Sequence, residues 1–115
     1  MSNQFILLGN VENVFSIISQ ADLYVSPSES EGFPSVVLEC LIGNIPIVAT
    51  PTAGAFDIYT EIAPKNAMLL TKDFSIESIA TSIIDAHSGA ISREYEFDID
   101  KLNNSILTEF EKKLL

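Results

Sequence analysis

Residues 23–50, LYVSPSESEGFPSVVLECLIGNIPIVAT, decide the fold. Two apolar runs, at 23–26 and 46–50, lie on either side of a polar loop and a helical segment. Uninterrupted apolar runs are typical of strands in a parallel sheet whose two faces are both covered. Pro34 suits the first turn of a helix, and Gly43 and Asn44 both tolerate the backbone that ends one. The stretch therefore predicts a strand, a loop, a helix and a second strand of an α/β fold.

The alternation of strands and helices extends on both sides of this unit. Before it, the run FILL at 5–8 predicts a buried strand ended by Gly9, and 11–20 predict a helix. After it, the pattern predicts a short helix at 56–61 and a strand at 67–70. A further helix, capped by Asp73 or Ser75, has one apolar face formed by Ile76, Ile79, Ala80, Ile83 and Ile84.

These elements predict a Rossmann-like parallel sheet of about four strands with helices on both faces. All 115 residues fit one domain, in which 86–115 form the tail region. The stretch 88–100 carries an acidic cluster, which we expect to be solvated. Apolar residues at helical spacing predict a tail helix over 99–115, and they are Leu102, Ile106, Phe110 and Leu114.

Charge and composition exclude several classes of protein. The net charge of −10 disfavours binding to nucleic acid or to an anionic membrane surface. No apolar run approaches the roughly 20 residues of a membrane span, and the first residues lack the positive charge of a secretory signal. We therefore expect a cytoplasmic protein. The single cysteine, Cys40, excludes an internal disulfide, and its place in the pattern predicts a small buried helix residue.

The distribution of charge constrains how an anion can be bound. Every Lys and Arg lies at position 65 or later, whereas the first 64 residues carry seven carboxylates and no basic side chain. An anion held in that half must therefore be bound by backbone N–H groups, or by cations that another polypeptide supplies. The N-terminus of a helix provides such N–H groups.

The loop before the predicted helix meets this requirement. Gly32 allows a close approach of the backbone to a ligand, and the helix that begins near Pro34 offers N–H donors at its positive end. Glu31 and Glu39 are good acceptors for vicinal hydroxyl groups. Their spacing alone leaves two interpretations open. They bind a sugar and a ribose beside a phosphate, or they are a solvated loop residue and an exposed helix residue.

A longer motif favours the first interpretation. The pattern AD-x3-SPS-x2-EGFP-x4-E over residues 21–39 closely resembles the C-terminal donor-binding domain of family 4 retaining glycosyltransferases. These enzymes have the GT-B fold, with two Rossmann-like halves and the active site between them. The similarity continues through the strand PIVAT at 46–50 and covers roughly residues 5–86. Asn44 stands where the family usually has Gly, and Ala53 replaces the first Gly of a Gly-Gly pair.

The resemblance implies a role for each residue of the motif. Glu31 contacts the donor sugar and is the catalytic candidate, while Glu39 binds the ribose hydroxyls. Backbone N–H groups around Pro34 face the sugar and phosphates, and two apolar residues line the nucleotide side. These further donor-binding residues are Gly32, Phe33, Pro34, Ser35, Val37 and Leu38.

The resemblance also implies substrates and a missing part. The donor is a UDP- or GDP-linked sugar, the acceptor a glycan or a lipid-linked hydroxyl, and neither a metal nor a cofactor is expected. The family's donor domain starts with two further strands and an Arg/Lys pair, and an acceptor domain precedes it. This sequence holds none of these, so we expect a partial domain that is inactive alone. A partner subunit or N-terminal domain would complete it, with peripheral membrane association through that part.

Two alternatives remain open at this stage. In the first alternative, the chain is a non-catalytic binding module or a decayed fragment that another chain completes. A receiver-like flavodoxin fold needs an acidic pair after the first strand and a lysine after the last. Gly9 and Asn10 do not supply that pair, although Lys72 follows a strand.

His87 at the end of a predicted helix is an ordinary residue for that position.

Overall fold

The structure is a computed structural model, and it describes residues 5–9, 12–30, 34–98, 100 and 103. The described part is a parallel sheet of three strands in the order β1-β2-β3 with helices around it. The strands are β1 (Tyr24–Ser26), β2 (Ile47–Ala49) and β3 (Met68–Leu70). The helices are α1 (Val14–Ile18), α2 (Ser35–Ile42), α3 (Ala53–Glu61) and α4 (Ile76–His87). The predicted α/β class with a Rossmann-like parallel sheet is confirmed.

The sheet has a different neighbour on each face. Tyr24, Ile47 and Met68 are aligned across the three strands; Ile47 and Met68 belong to the main core cluster, and Tyr24 packs against it. That cluster includes the inward sides of α2 and α3. Because successive side chains of a strand alternate in direction, Val48 points to the other face. Val48 is fully buried there, and helix α4 contacts the sheet at β2 and β3.

Helix α2 ends where the sequence predicts. Gly43 is its C-cap, and Asn44 adopts a left-handed backbone with φ of 56°. The Asn44 N–H donates to the Leu41 carbonyl at 3.3 Å, and the Ile45 N–H donates to the Cys40 carbonyl at 2.9 Å. This pair of bonds is a Schellman motif, which satisfies the last carbonyl groups of a helix. Asn therefore fills the place of the family's usual glycine without disturbing the turn.

Helices α3 and α4 both begin at hydroxyl caps. The Ala55 N–H donates to Thr52 Oγ1 at 3.1 Å, so α3 starts at Ala53, three residues before the predicted start at 56. The predicted cap of α4 is confirmed, since the Ser78 N–H donates to Ser75 Oγ at 3.2 Å. Hydrogen bonds from Ser75 and Ser78 lower the pKa of Asp73 to about 2.

The apolar face of α4 is covered only in part by the sheet. Ile79 is half-buried, whereas Ile84 is 64% exposed and Ile76 is 81% exposed. No residue of α4 is fully buried. None of the helices that the structure describes is long and apolar enough to cross a bilayer.

The prediction of a buried strand at 5–8 is wrong. These residues belong to no regular element, and their exposed fractions run from 58% at Leu8 to 87% at Leu7. A strand is stable only when a neighbour pairs with its backbone groups, and no described strand pairs with this run.

Two predicted helices extend beyond what the structure describes. Helix α1 is shorter than the predicted 11–20, and Val11 lies outside the described residues. The predicted tail helix over 99–115 also lies outside them, apart from Asp100 and Asn103, which are helical.

A segment after α4, residues 91–95, closes the edge of the sheet where the strands begin; we call it the closing strap. The Tyr95 hydroxyl donates to the carbonyls of Cys40 at 3.1 Å and Ile45 at 3.0 Å. The Asn44 side-chain amide donates to the Tyr95 carbonyl, and the Arg93 guanidinium donates to the Ala21 carbonyl. The closing strap thus ties the end of α2 and the start of β1 together.

The closing strap lies inside the segment that was predicted to be a solvated acidic stretch. Glu94, Glu96 and Asp98 are indeed exposed, as predicted. Tyr95 between them is only 6% exposed, and burial raises the pKa of its phenol. The segment is therefore acidic on its outer side, and it is anchored to the core by Tyr95, with Phe97 packed against the same cluster.

Candidate functional site

Buried hydroxyl groups gather where the three strands end. Within the described residues, the buried polar side chains are Ser26, Thr50, Thr52 and Thr71, all at most 6% exposed. Ser26 ends β1, while Thr50 and Thr71 directly follow β2 and β3. In open α/β sheets this carboxyl edge is where ligands bind. The polar interior of the molecule is thus concentrated at the edge where the sequence places the site.

Thr50 joins the loop that follows β1 to the loop that follows β2. Its N–H donates to the Ser26 carbonyl at 3.0 Å. Its hydroxyl lies 3.2 Å from the same carbonyl and 2.5 Å from the carbonyl of Ser28. Because Ser28 lies three residues before Glu31, these bonds fix the beginning of the loop that carries the motif.

Removing the Thr50 hydroxyl is expected to loosen that loop. Thr50→Val keeps the shape but leaves the Ser28 carbonyl without this donor, which should lower the free energy of unfolding by about 1–3 kcal/mol. Urea denaturation followed by circular dichroism measures the change. Thr60→Val is the matched control, because Thr60 is exposed and its hydroxyl only contacts carbonyls of its own helix. Equal effects of the two substitutions would contradict the role assigned to Thr50.

Thr71 holds the loop that follows β3 in a similar way. The Thr71 N–H donates to the Ala49 carbonyl at 2.9 Å, and its hydroxyl donates to the Asp73 carbonyl at 2.7 Å. The sequence analysis did not single out these hydroxyl residues. A signal was present, since Thr50 and Thr71 each come directly after the last apolar residue of a strand.

Helix α2 begins at this edge with backbone donors available. Its N-cap is Pro34, which is buried and supplies no side-chain hydrogen bond. The N–H groups of Val37 and Leu38 donate to the Pro34 carbonyl, at 3.1 and 3.4 Å. Within the described residues, the N–H groups of Ser35 and Val36 have no acceptor. Such donors and the positive end of the helix attract an anion.

The predicted site residues fall into described and undescribed groups. Glu31, Gly32 and Phe33 lie outside the described residues. Ser35 is exposed, and Glu39 is half-buried one turn further along α2. Residues four apart lie on the same side of a helix, so the structure brings Glu39 into line with the open start of α2.

The Glu39 carboxylate also affects the neighbouring thiol. Cys40 is fully buried, as predicted, and its burial together with the negative charge of Glu39 raises its pKa to about 12. The thiol is therefore protonated and unreactive in the folded chain. It takes no part in the candidate chemistry.

Val37 and Leu38 lie in the hydrophobic core. Their side chains are 1% and 5% exposed and pack in the cluster beneath the sheet. Their predicted place beside the nucleotide stays a prediction. If it holds, their backbone atoms make the contact, because the side chains are already enclosed.

A cavity of about 500 Å³ lies elsewhere, at the opposite edge of the sheet. Its lining includes Leu23 and Pro46, which directly precede β1 and β2, and Ile83 of α4. Ligands of α/β sheets bind at the carboxyl ends of strands, so this cavity is separate from the candidate site.

A parallel sheet with helices around it and an open helix start at its carboxyl edge is characteristic of Rossmann-like α/β domains. Residues 1–88 match the family of glycosyl transferases group 1. Since this match covers most of the 115 residues, the chain belongs to that family. The resemblance to a glycosyltransferase donor domain is thereby confirmed.

One relative gives a measure of how much of such an enzyme the chain represents. The chain is 36% identical over 80 residues to TuaC of Bacillus subtilis (strain 168), provisionally named a teichuronic acid biosynthesis glycosyltransferase. The match covers 68% of this chain and 20% of that protein. The chain therefore spans about a fifth of the length of the curated relative.

Proposed function

We propose that this chain is the donor-binding portion of a retaining glycosyltransferase. The enzyme would transfer a hexose from a nucleotide diphosphate sugar to a hydroxyl group of a glycan or glycolipid. Membership of the glycosyl transferases group 1 family supports the transfer of a sugar. The residues of α2 support a nucleotide diphosphate sugar as the donor.

The observation that carries the proposal is the open start of α2. Two backbone N–H groups, of Ser35 and Val36, lack an acceptor within the described residues, and no Lys or Arg occurs in the first 64 positions. A diphosphate bound there would accept hydrogen bonds from these amides and sit at the positive helix end, equivalent to about half a unit charge. This arrangement needs no basic side chain from this half of the chain.

Glu39 would hold the nucleoside. An ionised carboxylate accepts hydrogen bonds through both oxygens, which suits the adjacent hydroxyl groups of a ribose. Because Glu39 lies on the same side of α2 as Ser35, one ligand could contact the amides with its phosphates and the carboxylate with its ribose. Glu31 would then position the sugar on the far side of the phosphates, as the resemblance implies.

The chemical step requires more than this chain provides. When the sugar leaves, negative charge develops on the nucleotide diphosphate, and stabilising that charge is a main source of catalysis. The amides of α2 would supply part of this stabilisation, and cations from a further polypeptide segment would supply the rest. We therefore expect the isolated chain to bind the nucleotide without turning over the sugar donor.

Binding can be tested by saturation-transfer NMR with UDP, GDP and ADP. We expect transfer to the ribose protons of one of these nucleotides, and an affinity at least about tenfold lower in Glu39→Ala, since a hydrogen bond to a charged group contributes about 1.5–3 kcal/mol. Glu61→Ala is the matched control. Glu61 is an exposed carboxylate at the end of α3, and its removal should leave the signal unchanged.

Two results would count against the proposal. One is the absence of transfer from all three nucleotides to a chain that circular dichroism shows to be folded. The other is an equal signal in Glu39→Ala and in the unchanged chain, because the ribose would then be held elsewhere.

A further inference from the structure

The cavity of about 500 Å³ at the edge where the strands begin has the size of a small-molecule site. Ligand pockets in proteins have volumes of about 300–1,000 Å³, with largely apolar walls and a few polar groups. The walls of this cavity have the same character. Their apolar residues are Leu23, Pro46, Ile83, Ala86 and Ile91.

Hydrogen bonds fix two of these walls. Where the strands begin, the Tyr24 N–H donates to the Pro46 carbonyl at 2.9 Å. In the closing strap, the Ser92 N–H donates to the Asn66 carbonyl at 3.0 Å, and the Asn66 side-chain amide donates to the Glu94 carbonyl at 2.8 Å. Walls that are fixed before binding lose little conformational freedom when a ligand enters.

The end of α4 forms the third wall. Beyond the helix, Gly89 has a φ of 102°, and its N–H donates to the Ala86 carbonyl at 3.1 Å. This turn leads into the closing strap, where Ile91 is 4% exposed. Because α4 ends at His87, which lines the cavity, the negative end of the helix dipole lies beside the cavity.

Four ionisable residues line the cavity, and they are Asp22, His87, Arg93 and Glu94. The Arg93 guanidinium already donates to the Ala21 carbonyl. Within the described residues, nothing donates a hydrogen bond to the carboxylate of Asp22 or of Glu94. With His87 counted as neutral at pH 7, two carboxylates and one guanidinium leave the lining with a net charge of −1.

These charges favour a cation as the ligand. The two carboxylates, the negative end of α4 and the net charge of −10 on the chain all attract positive charge. A protonated amine carries such a charge and donates three hydrogen bonds, which two carboxylates can accept. An anion would find only the Arg93 guanidinium, which is already bonded to a backbone carbonyl.

We propose that this cavity binds a small organic amine. The apolar body of the ligand lies between the starts of β1 and β2 and the end of α4, and its protonated amino group lies at the carboxylates of Asp22 and Glu94. The site is at the opposite edge of the sheet from the candidate donor site and does not depend on it. Because the ligand contacts both α4 and the closing strap, its binding stabilises the folded chain.

Three indole compounds test the charge of the ligand, because they share one apolar ring. Tryptamine carries a protonated amine, tryptophol a hydroxyl group and indoleacetate a carboxylate. Each is titrated into the isotope-labelled full chain, and NMR follows the amide signals of Leu23 and Ile91. We expect tryptamine to bind about fivefold more tightly than tryptophol, within the range of exposed ion pairs, and indoleacetate to bind most weakly.

Two sets of variants test where the ligand lies. The double variant Asp22→Asn with Glu94→Gln should remove the preference for tryptamine over tryptophol. Glu96→Gln is its control, because Glu96 is an exposed carboxylate outside the lining. Ile83→Trp should fill the cavity and prevent binding, whereas Ile84→Trp should not, since Ile84 is the next residue of α4 and lies outside the lining.

Three results would overturn the inference. They are no binding of any of the three compounds, equal affinities for tryptamine and indoleacetate, and unchanged tryptamine binding in a folded Ile83→Trp variant. If circular dichroism shows that Ile83→Trp does not fold, the charge variants decide, because Asp22 and Glu94 are exposed. Glu39→Ala should bind tryptamine as the unchanged chain does, so failure of the proposed donor site leaves this inference intact.

Discussion

Replacing Leu41 with alanine is expected to lower the free energy of unfolding by about 2–5 kcal/mol. Leu41 is fully buried on the inner side of α2, in the cluster that joins this helix to the sheet. The substitution removes buried apolar surface and leaves a cavity that close-packed neighbours cannot fill. Because domains of this size are stable by only about 5–15 kcal/mol, the loss is a large part of the total.

The neighbouring residue provides the control for this prediction. Ile42 follows Leu41 in the same helix but is 47% exposed, so Ile42→Ala should have a much smaller effect on the urea midpoint. Alkylation of Cys40 gives a second measurement, because the buried thiol reacts only when the chain opens. Similar urea midpoints and similar alkylation rates for the two variants would show that α2 does not pack as described.

The second large effect is expected from Tyr95→Ala in the closing strap. The ring is 6% exposed, and truncating a buried aromatic residue to alanine costs about 3–5 kcal/mol. The substitution also removes the hydroxyl that donates to the carbonyls of Cys40 and Ile45. The Cys40 carbonyl keeps the Ile45 N–H as a donor, so the loss of hydrogen bonding falls mainly on the Ile45 carbonyl.

Tyr95→Phe separates the two contributions. It keeps the packing of the ring and removes only the hydroxyl, which should cost about 1–3 kcal/mol because a buried carbonyl loses its donor. Amide hydrogen exchange at residues 91–95 should rise modestly in Tyr95→Phe and strongly in Tyr95→Ala. If both variants match the unchanged chain in exchange and in urea denaturation, the closing strap does not stabilise the fold.

Much of the fold could be predicted because its strands are short and mostly apolar. The runs around Val25, Val48 and Leu69 are each followed by turn residues, which left little choice of element. The run at 5–8 has a similar composition, but none of the strands that the structure describes lies beside it, and composition does not report the presence of a neighbour. The closing strap was not predicted, for a related reason. Tyr95 bonds to backbone carbonyls 50 and 55 residues earlier, and backbone acceptors have no sequence signature.

The position of the candidate site in the fold was more predictable than the hydrogen bonds that support it. Pro34 and Glu39 lie where the motif predicts, at the start of α2 and one turn further along. The hydroxyl network of Thr50 and Thr71 was not predicted, because threonine is also common in strands and turns for other reasons. The roles of Glu31, Gly32 and Phe33 stay predictions, since these three residues lie outside the described part of the chain.

The long reach of the Tyr95 hydrogen bonds has a consequence for synthesis on the ribosome. The carbonyls of Cys40 and Ile45 are made 55 and 50 residues before the hydroxyl that binds them. At a translation rate of about 5–20 residues per second, this delay lasts roughly 3–11 s. During that interval α2 and β2 lack the hydrogen bonds that the Tyr95 hydroxyl later donates. The apolar residues of α2 and β2 therefore lack this anchor for several seconds of synthesis.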